Sequence, residues 1–169
     1  MSNLEERIQK IEDRFAIEDL VSRYFVASDD NDFEVLEDSF AKDGIFTGPG
    51  FSGGSNRAEV MEFVRAFRAN VGQTVHALNS VTVEFLDADR ATGVVGAHIE
   101  LSMGGRTLFG AFRYYDDYVR EEGRWRFARR ELLTVHVGRW EDIGTSLTCE
   151  NSVRWPGSEP LKSHFPRER

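Results

Sequence analysis

Apolar residues recur at Leu4, Ile8, Ile11, Phe15, Val21 and Phe25 with the period of an amphipathic helix, and Ser2 with Glu5 has the spacing of a capping box. The pattern predicts a helix over residues 3–28. Asn31 followed by Glu34 repeats the cap spacing ahead of "DFEVLEDSF", and Asn56 followed by Glu59 repeats it ahead of "RAEVMEFVRAFRANV", which closes on Gly72. Three helices are therefore expected in the first half, with a short strand "GIFTG" between the second and third.

From Thr74 the texture changes to strands, "TVHALNSVTVEFL", "ATGVVGAHIELSM", "TLFGAFRYYDDYV" and "RWRFARRELLTVHVG", separated by the turn-rich "DADR", "GGR" and "EEGR". Connections this short join antiparallel neighbours. Helices followed by a strand meander predict an α+β domain over residues 1–138, its sheet curled to bury an apolar face on the helices and leaving a pocket between them. Residues 139–169 read as an extension: Pro156, Pro160 and Pro166 exclude a regular element, while Trp140, Trp155 and Phe165 are too apolar for a free tail. Packing on a neighbouring subunit is expected of it, with a fold-back over its own sheet as the alternative.

Composition narrows the partners. With 40 % hydrophobic residues and thirteen Phe in 169 residues, one well-filled domain is expected. A net charge of -8 at pH 7 disfavours nucleic acid and anionic membrane, both of which need a basic surface. Cys149 is alone, the opening "MSNLEERIQK" is unlike a signal peptide, and no long apolar run occurs, so a cytoplasmic protein is expected.

Helix phase separates two adjacent acids in "SRYFVASDDND". Ile17, Val21, Phe25 and Asp29 form an apolar row that ends in a carboxylate, whereas Glu18, Ser22, Val26 and Asp30 form a wetter one. Asp29 should therefore point inward, where a charge needs a partner, and Asp30 outward; a plain turn residue is the competing reading of Asp29. Of His76, His98, His136 and His164, the first two sit between apolar residues on strands. A carboxylate behind such a histidine fixes its tautomer and makes it a general base, although a satisfied core histidine is the ordinary alternative. Strict alternation groups His76 with Leu78, Thr82 and Glu84, opposite Val75, Val81, Val83 and Phe85, so the facing of His76 stays open on sequence, a bulge near "LNS" being one way to aim it inward.

Other motifs carry less. "GPGFSGGS" lacks the lysine of a phosphate loop and reads as a mobile loop beside the pocket, and "DDNDFE" lacks the glycine of a calcium loop. No histidine pair has metal-ligand spacing and no nucleophile elbow or dinucleotide fingerprint occurs, so chemistry without metal or cofactor is expected.

Together, "AIEDLVSRYFVASDDNDFEVLEDSFAKDGIF", "VHALNSVTVEF" and "YYDDYVREEGRWRFARR" resemble the SnoaL-like branch of the nuclear transport factor 2-like superfamily, over roughly residues 10–137. Within it the sequence is most similar to cofactor-free eliminating enzymes: bile acid 7α-dehydratase, hexachlorocyclohexane dehydrochlorinase and, more distantly, scytalone dehydratase. The resemblance implies a cone-shaped α+β barrel around a His–Asp pair, with the family's helix-end aspartate on Asp29, its strand histidine on His76, a tyrosine on Tyr24 and an arginine after the "W-x-F" strand on Arg130. It implies a dehydratase-type lyase for a hydrophobic steroid, terpenoid or aromatic polyketide: His76 removes a proton beside a carbonyl, Asp29 orients it, Tyr24 assists the leaving hydroxyl and Arg130 polarises the carbonyl. Tyr24 stands where the dehydrochlorinase carries lysine, which favours loss of hydroxyl over halide, and "LFGAFRYY" holds no match to the second histidine of scytalone dehydratase. The same fold also hosts isomerases, polyketide cyclases, non-catalytic small subunits and ligand carriers. A homo-oligomer, trimeric or dimeric, is expected.

Overall fold

The computed structural model describes residues 3–166. α1 (Leu4–Asp30) starts from Asn3, whose side chain accepts the Glu6 amide at 2.8 Å; Ser2 lies outside the described residues. Asn31 does not cap the second helix. It closes α1 in the left-handed conformation (φ 55°), and its neighbour Asp32 caps α2 (Phe33–Asp38) by accepting the Val35 amide at 3.2 Å. One residue cannot do both, because a C-terminal closure is left-handed and an N-cap is not.

After β1 (Phe40–Gly48) and the two-residue β2 (Phe51–Ser52), α3 (Arg57–Arg68) begins on the expected cap, with Asn56 accepting the Glu59 amide at 3.1 Å. It stops at Arg68 rather than Gly72, because Val71 is already buried as the first residue of β3 (Val71–Phe85). β4 (Arg90–Met103), β5 (Arg106–Glu121) and β6 (Arg124–Arg139) follow where the alternation placed them. The six strands form one mixed sheet in the order β2-β1-β6-β5-β4-β3, antiparallel throughout except where β1 runs parallel to β6. The fold is the expected α+β class, but the curved sheet stays unclosed, with β2 and β3 as its edges.

α1 buries only the later members, Val21 and Phe25, of the residues on which its period was read. Ile17 and Val21 are fully buried, and Tyr24 and Phe25 nearly so, against Phe40 and Phe127 of the sheet. Leu4, Ile8, Ile11 and Phe15 are instead 67 %, 46 %, 55 % and 64 % exposed, on a stripe roughly 140° round the helix from the core face. Each buried side chain of this size contributes about 1.5–3 kcal/mol, so the second half of α1 anchors the helix.

β3 carries the bulge that aims His76 inward. Leu78 pairs with Ala97 and Ser80 with Gly96, leaving Asn79 as the extra residue. Thr74 and His76 thereby share the inner face with Val81 and Val83.

Past β6 the chain makes a 3-10 turn (Trp140–Thr145) and returns along its own sheet. Val153 bridges to both Val137 and Leu161, and the Trp155 ring lies 6.1 Å from that of Phe112. No helix among the described residues is long and apolar enough to cross a membrane.

Candidate active site

The inner sheet face, the second half of α1, α3 and the returning extension enclose a cavity of about 330 Å³. Its wall is mostly apolar, with Phe46, Phe51, Phe63, Phe67, Phe112 and Trp155 among its members, and its polar members include Tyr24, Ser28, Arg68, Thr74, Tyr114, Thr134, His76 and His164.

Asp29 and His76 meet at the edge of this space. Position 29 falls in the last turn of α1 and position 76 ahead of the Asn79 bulge, so helix end and strand face converge. His76 Nδ1 lies 2.6 Å from Asp29 Oδ1, the Thr74 hydroxyl donates to the same oxygen at 2.7 Å, and the His76 backbone N–H donates to Oδ2 at 2.9 Å. An ionised carboxylate only accepts, so the network assigns the imidazole proton to Nδ1 and leaves the Nε2 lone pair free. Burial acts to raise the Asp29 carboxyl, but the bonds from His76 and Thr74 outweigh it and hold the group below its ordinary range. Phe25 stacks on the imidazole at 5.1 Å, a flat apolar rest for the ring. Asp30 is exposed, as helix phase required.

Tyr24 lines the cavity, and Arg130 lies behind it. The Arg130 side chain is 0 % exposed and its guanidinium sits 4.5, 4.3, 4.2 and 5.3 Å from the ring centroids of Tyr24, Tyr114, Phe127 and Phe25. Its counter-ion is the equally buried Asp116, at 3.2 Å, whose Oδ2 also accepts the Tyr118 hydroxyl. Burial pushes Asp116 up to about 6 against the pull of Arg130. Burial likewise raises Tyr24, with Arg130 opposing. From this position Arg130 stands behind the Tyr24 and Tyr114 rings, which line the cavity, and is not itself part of the wall.

His98, the other strand histidine, turns away. Its Nδ1 pairs with Asn79 Oδ1 at 2.7 Å and its ring stacks on Phe109, while its neighbours Ile99 and Leu101 line the cavity.

Two polar groups escaped the sequence. Arg68, in the last turn of α3, donates to Asn31 (2.7 Å), Thr74 (3.2 Å) and the Gly72 carbonyl (3.3 Å), so that a chain of bonds runs Asn31, Arg68, Thr74, Asp29, His76. A basic residue at a helix C-terminus looks like ordinary dipole complementation, which concealed it. His164 lies beyond any regular element, and its Nδ1 accepts the Thr134 amide at 2.9 Å. Among the described residues no three His, Cys, Asp or Glu side chains are grouped to hold a metal ion.

A family model for the SnoaL-like domain matches residues 9–131. No curated protein matches the sequence. Among solved structures, the hexachlorocyclohexane dehydrochlorinase LinA-type3 from Novosphingobium barchaimii superposes with a TM-score of 0.73 at 20 % identity, over 79 % of this chain and 93 % of its own. A scytalone dehydratase-like protein from Novosphingobium aromaticivorans gives 0.73 at 18 % identity, over 90 % and 99 %. An NTF2-like protein with a cystatin-like fold from the same organism gives 0.61 at 27 % identity, over 78 % and 90 %.

Proposed function

Because the chain belongs to the SnoaL-like domain family of the nuclear transport factor 2-like superfamily, we propose that it is a cofactor-independent lyase that eliminates water from a hydrophobic substrate. The observation that carries this is the contact of Asp29 with His76 at the wall of an apolar cavity. His76 Nε2 takes a proton from the carbon beside an activating carbonyl, and Asp29 holds the tautomer and stabilises the imidazolium that forms. As the C–H electrons become the new C=C bond, the C–O bond on the neighbouring carbon breaks, and the departing hydroxide, held by a hydrogen bond from Tyr24, takes the proton carried by the His76 imidazolium and leaves as water, which restores the base. Arg130 is a positioning residue that fixes the Tyr24 and Tyr114 rings from behind. Structural likeness to a dehydrochlorinase and to a scytalone dehydratase-like protein supports elimination as the reaction class. The volume and aromatic wall suit an aromatic, terpenoid or steroid skeleton. The exposed Trp140, Leu147 and Leu161 support packing of the extension on a neighbouring subunit of a homo-oligomer.

The test is incubation with a panel of hydrophobic β-hydroxy ketones, read by mass spectrometry. Loss of one water, abolished by His76→Ala, is expected. Product of unchanged mass would replace this reading by an isomerase or cyclase, and turnover that survives His76→Ala would remove the base.

A further inference from the structure

We propose that His164, carried by the C-terminal extension, donates a hydrogen bond from Nε2 to the substrate oxygen on which negative charge gathers. His164 shares the cavity wall with His76. Its Nδ1 lone pair is occupied by the Thr134 amide, so the single proton of the neutral ring sits on Nε2, which has no partner among the described residues. An imidazolium would set a second N–H against that amide, and burial also disfavours the charged ring. His164 is thus no proton source but a fixed neutral donor, whereas His76 in the same cavity presents a lone pair.

Several neighbouring donors are already engaged: Arg68 serves Asn31, Thr74 and the Gly72 carbonyl, the Thr74 hydroxyl serves Asp29, the Ser28 hydroxyl serves the Tyr24 carbonyl, Tyr24 is assigned to the leaving hydroxyl, and Arg130 lies behind the wall. His164 therefore fills the carbonyl-polarising place that the Arg130 guanidinium does not reach. Its catalytic meaning rests on the lyase reading; its hydrogen bond does not.

The experiment titrates wild type, His164→Phe and His164→Gln with 2-naphthol, which mimics an enol oxygen on an apolar frame, and with naphthalene, which lacks the oxygen. His164→Phe should weaken 2-naphthol roughly 2- to 10-fold, the loss expected for one hydrogen bond, with naphthalene unchanged and His164→Gln in between. In wild type, long-range ¹⁵N spectra should show His164 as the Nε2–H tautomer and His76 as Nδ1–H. Equal loss for both ligands, or an Nδ1–H tautomer at His164, overturns the proposal. Failure of the lyase reading would appear separately, as absence of water loss from the substrate panel by wild type.

A different observation points to a partner for α1. Residues 3–12 are exposed on every side, so the first turns of the helix stand clear of the domain, and an isolated helix of that length is marginal in water. The outward stripe Leu4, Ile8, Ile11, Phe15 has the alternating four- and three-residue spacing of a coiled-coil seam. Asp13 lies opposite the seam and binds the domain, through Arg120 at 2.7 Å and Trp125 at 3.0 Å.

Charges beside the seam select the occupant. Arg7 and Arg14 flank one edge, Glu5 and Glu12 the other. Two copies of this helix lying parallel bring Arg7 of one against Glu12 of the other, whereas antiparallel packing sets Arg against Arg and Glu against Glu. The geometry points to a second copy of this chain, packed parallel along the stripe.

Sedimentation of the full chain should show an oligomer for wild type and a lighter species for Ile8→Glu/Ile11→Glu. Arg7→Glu should weaken assembly, and Arg7→Glu/Glu12→Arg should restore it. With Cys149→Ser as background, Ile8→Cys should form a disulfide between copies on mild oxidation, as parallel register requires. A monomeric wild type, or an oligomer indifferent to Ile8→Glu/Ile11→Glu, overturns the proposal.

Discussion

Replacing Asp29 by Asn changes one atom and removes one acceptor. The carboxylate accepts from the Thr74 hydroxyl, the His76 ring and the His76 amide, with two of these bonds on Oδ1 and one on Oδ2. An Asn with its oxygen at the Oδ1 site keeps the first two bonds but points its NH₂ at the His76 amide, donor against donor. The flipped amide faces Nδ1 with its NH₂ and drives the imidazole proton to Nε2, which removes the base. Either arrangement leaves a donor unmet, worth about 1–3 kcal/mol. For a chain of this size that lowers Tm by roughly 2–12 °C. Loss of the charge that stabilises the imidazolium should reduce turnover by about 10²- to 10⁴-fold. Urea unfolding reads the first number and the rate of water loss on the best panel substrate reads the second, with the exposed Asp30→Asn as control, expected within about 0.5 kcal/mol of wild type. An Asp29→Asn protein with wild-type Tm and wild-type turnover would refute the dyad.

Arg130→Met should destabilise by about 3–5 kcal/mol, because the buried Asp116 carboxyl loses its counter-ion in an apolar layer, and the double change Arg130→Met/Asp116→Leu should recover much of that in denaturant melts. A double variant no more stable than the single one would contradict this account. Asp116 also gives stability a pH slope. Its folded-state value of about 6 lies above the ordinary 3.8, so the folded chain holds the proton more tightly and stability falls as pH rises through that window. Asp116→Asn should therefore gain stability relative to wild type between those pH values; parallel stability curves would rule the proton out.

The strands of the second half were legible because alternation and turn residues agree there. The Asn79 bulge was legible as one option, for a subtler reason: His76 and the valines after it could share a face only through an extra residue. Period alone, however, does not say which apolar stripe is the core. α1 carries two, and Leu4, Ile8, Ile11 and Phe15 belong to the one turned outward. The Asn31 cap failed because two helices meet at that point and share the polar residues between them. Asp29 was placed by helix phase and His76 by strand context and resemblance, whereas Arg68 and His164 are positioned by contacts 37 and 30 residues away in sequence, which no local pattern encodes.

The Asn79 bulge also divides β3 into two lengths whose facings are set independently. Residues before it take their orientation from Asp29 and the end of α1, and residues after it from the apolar core. Excising that one residue would leave the composition of the strand nearly intact while rotating the imidazole to the opposite surface, where it meets no carboxylate. The meeting of imidazole and carboxylate in this chain is consequently a matter of phase as much as of side-chain identity, and deletion of one codon would separate the two with every residue proposed to act in the site still present.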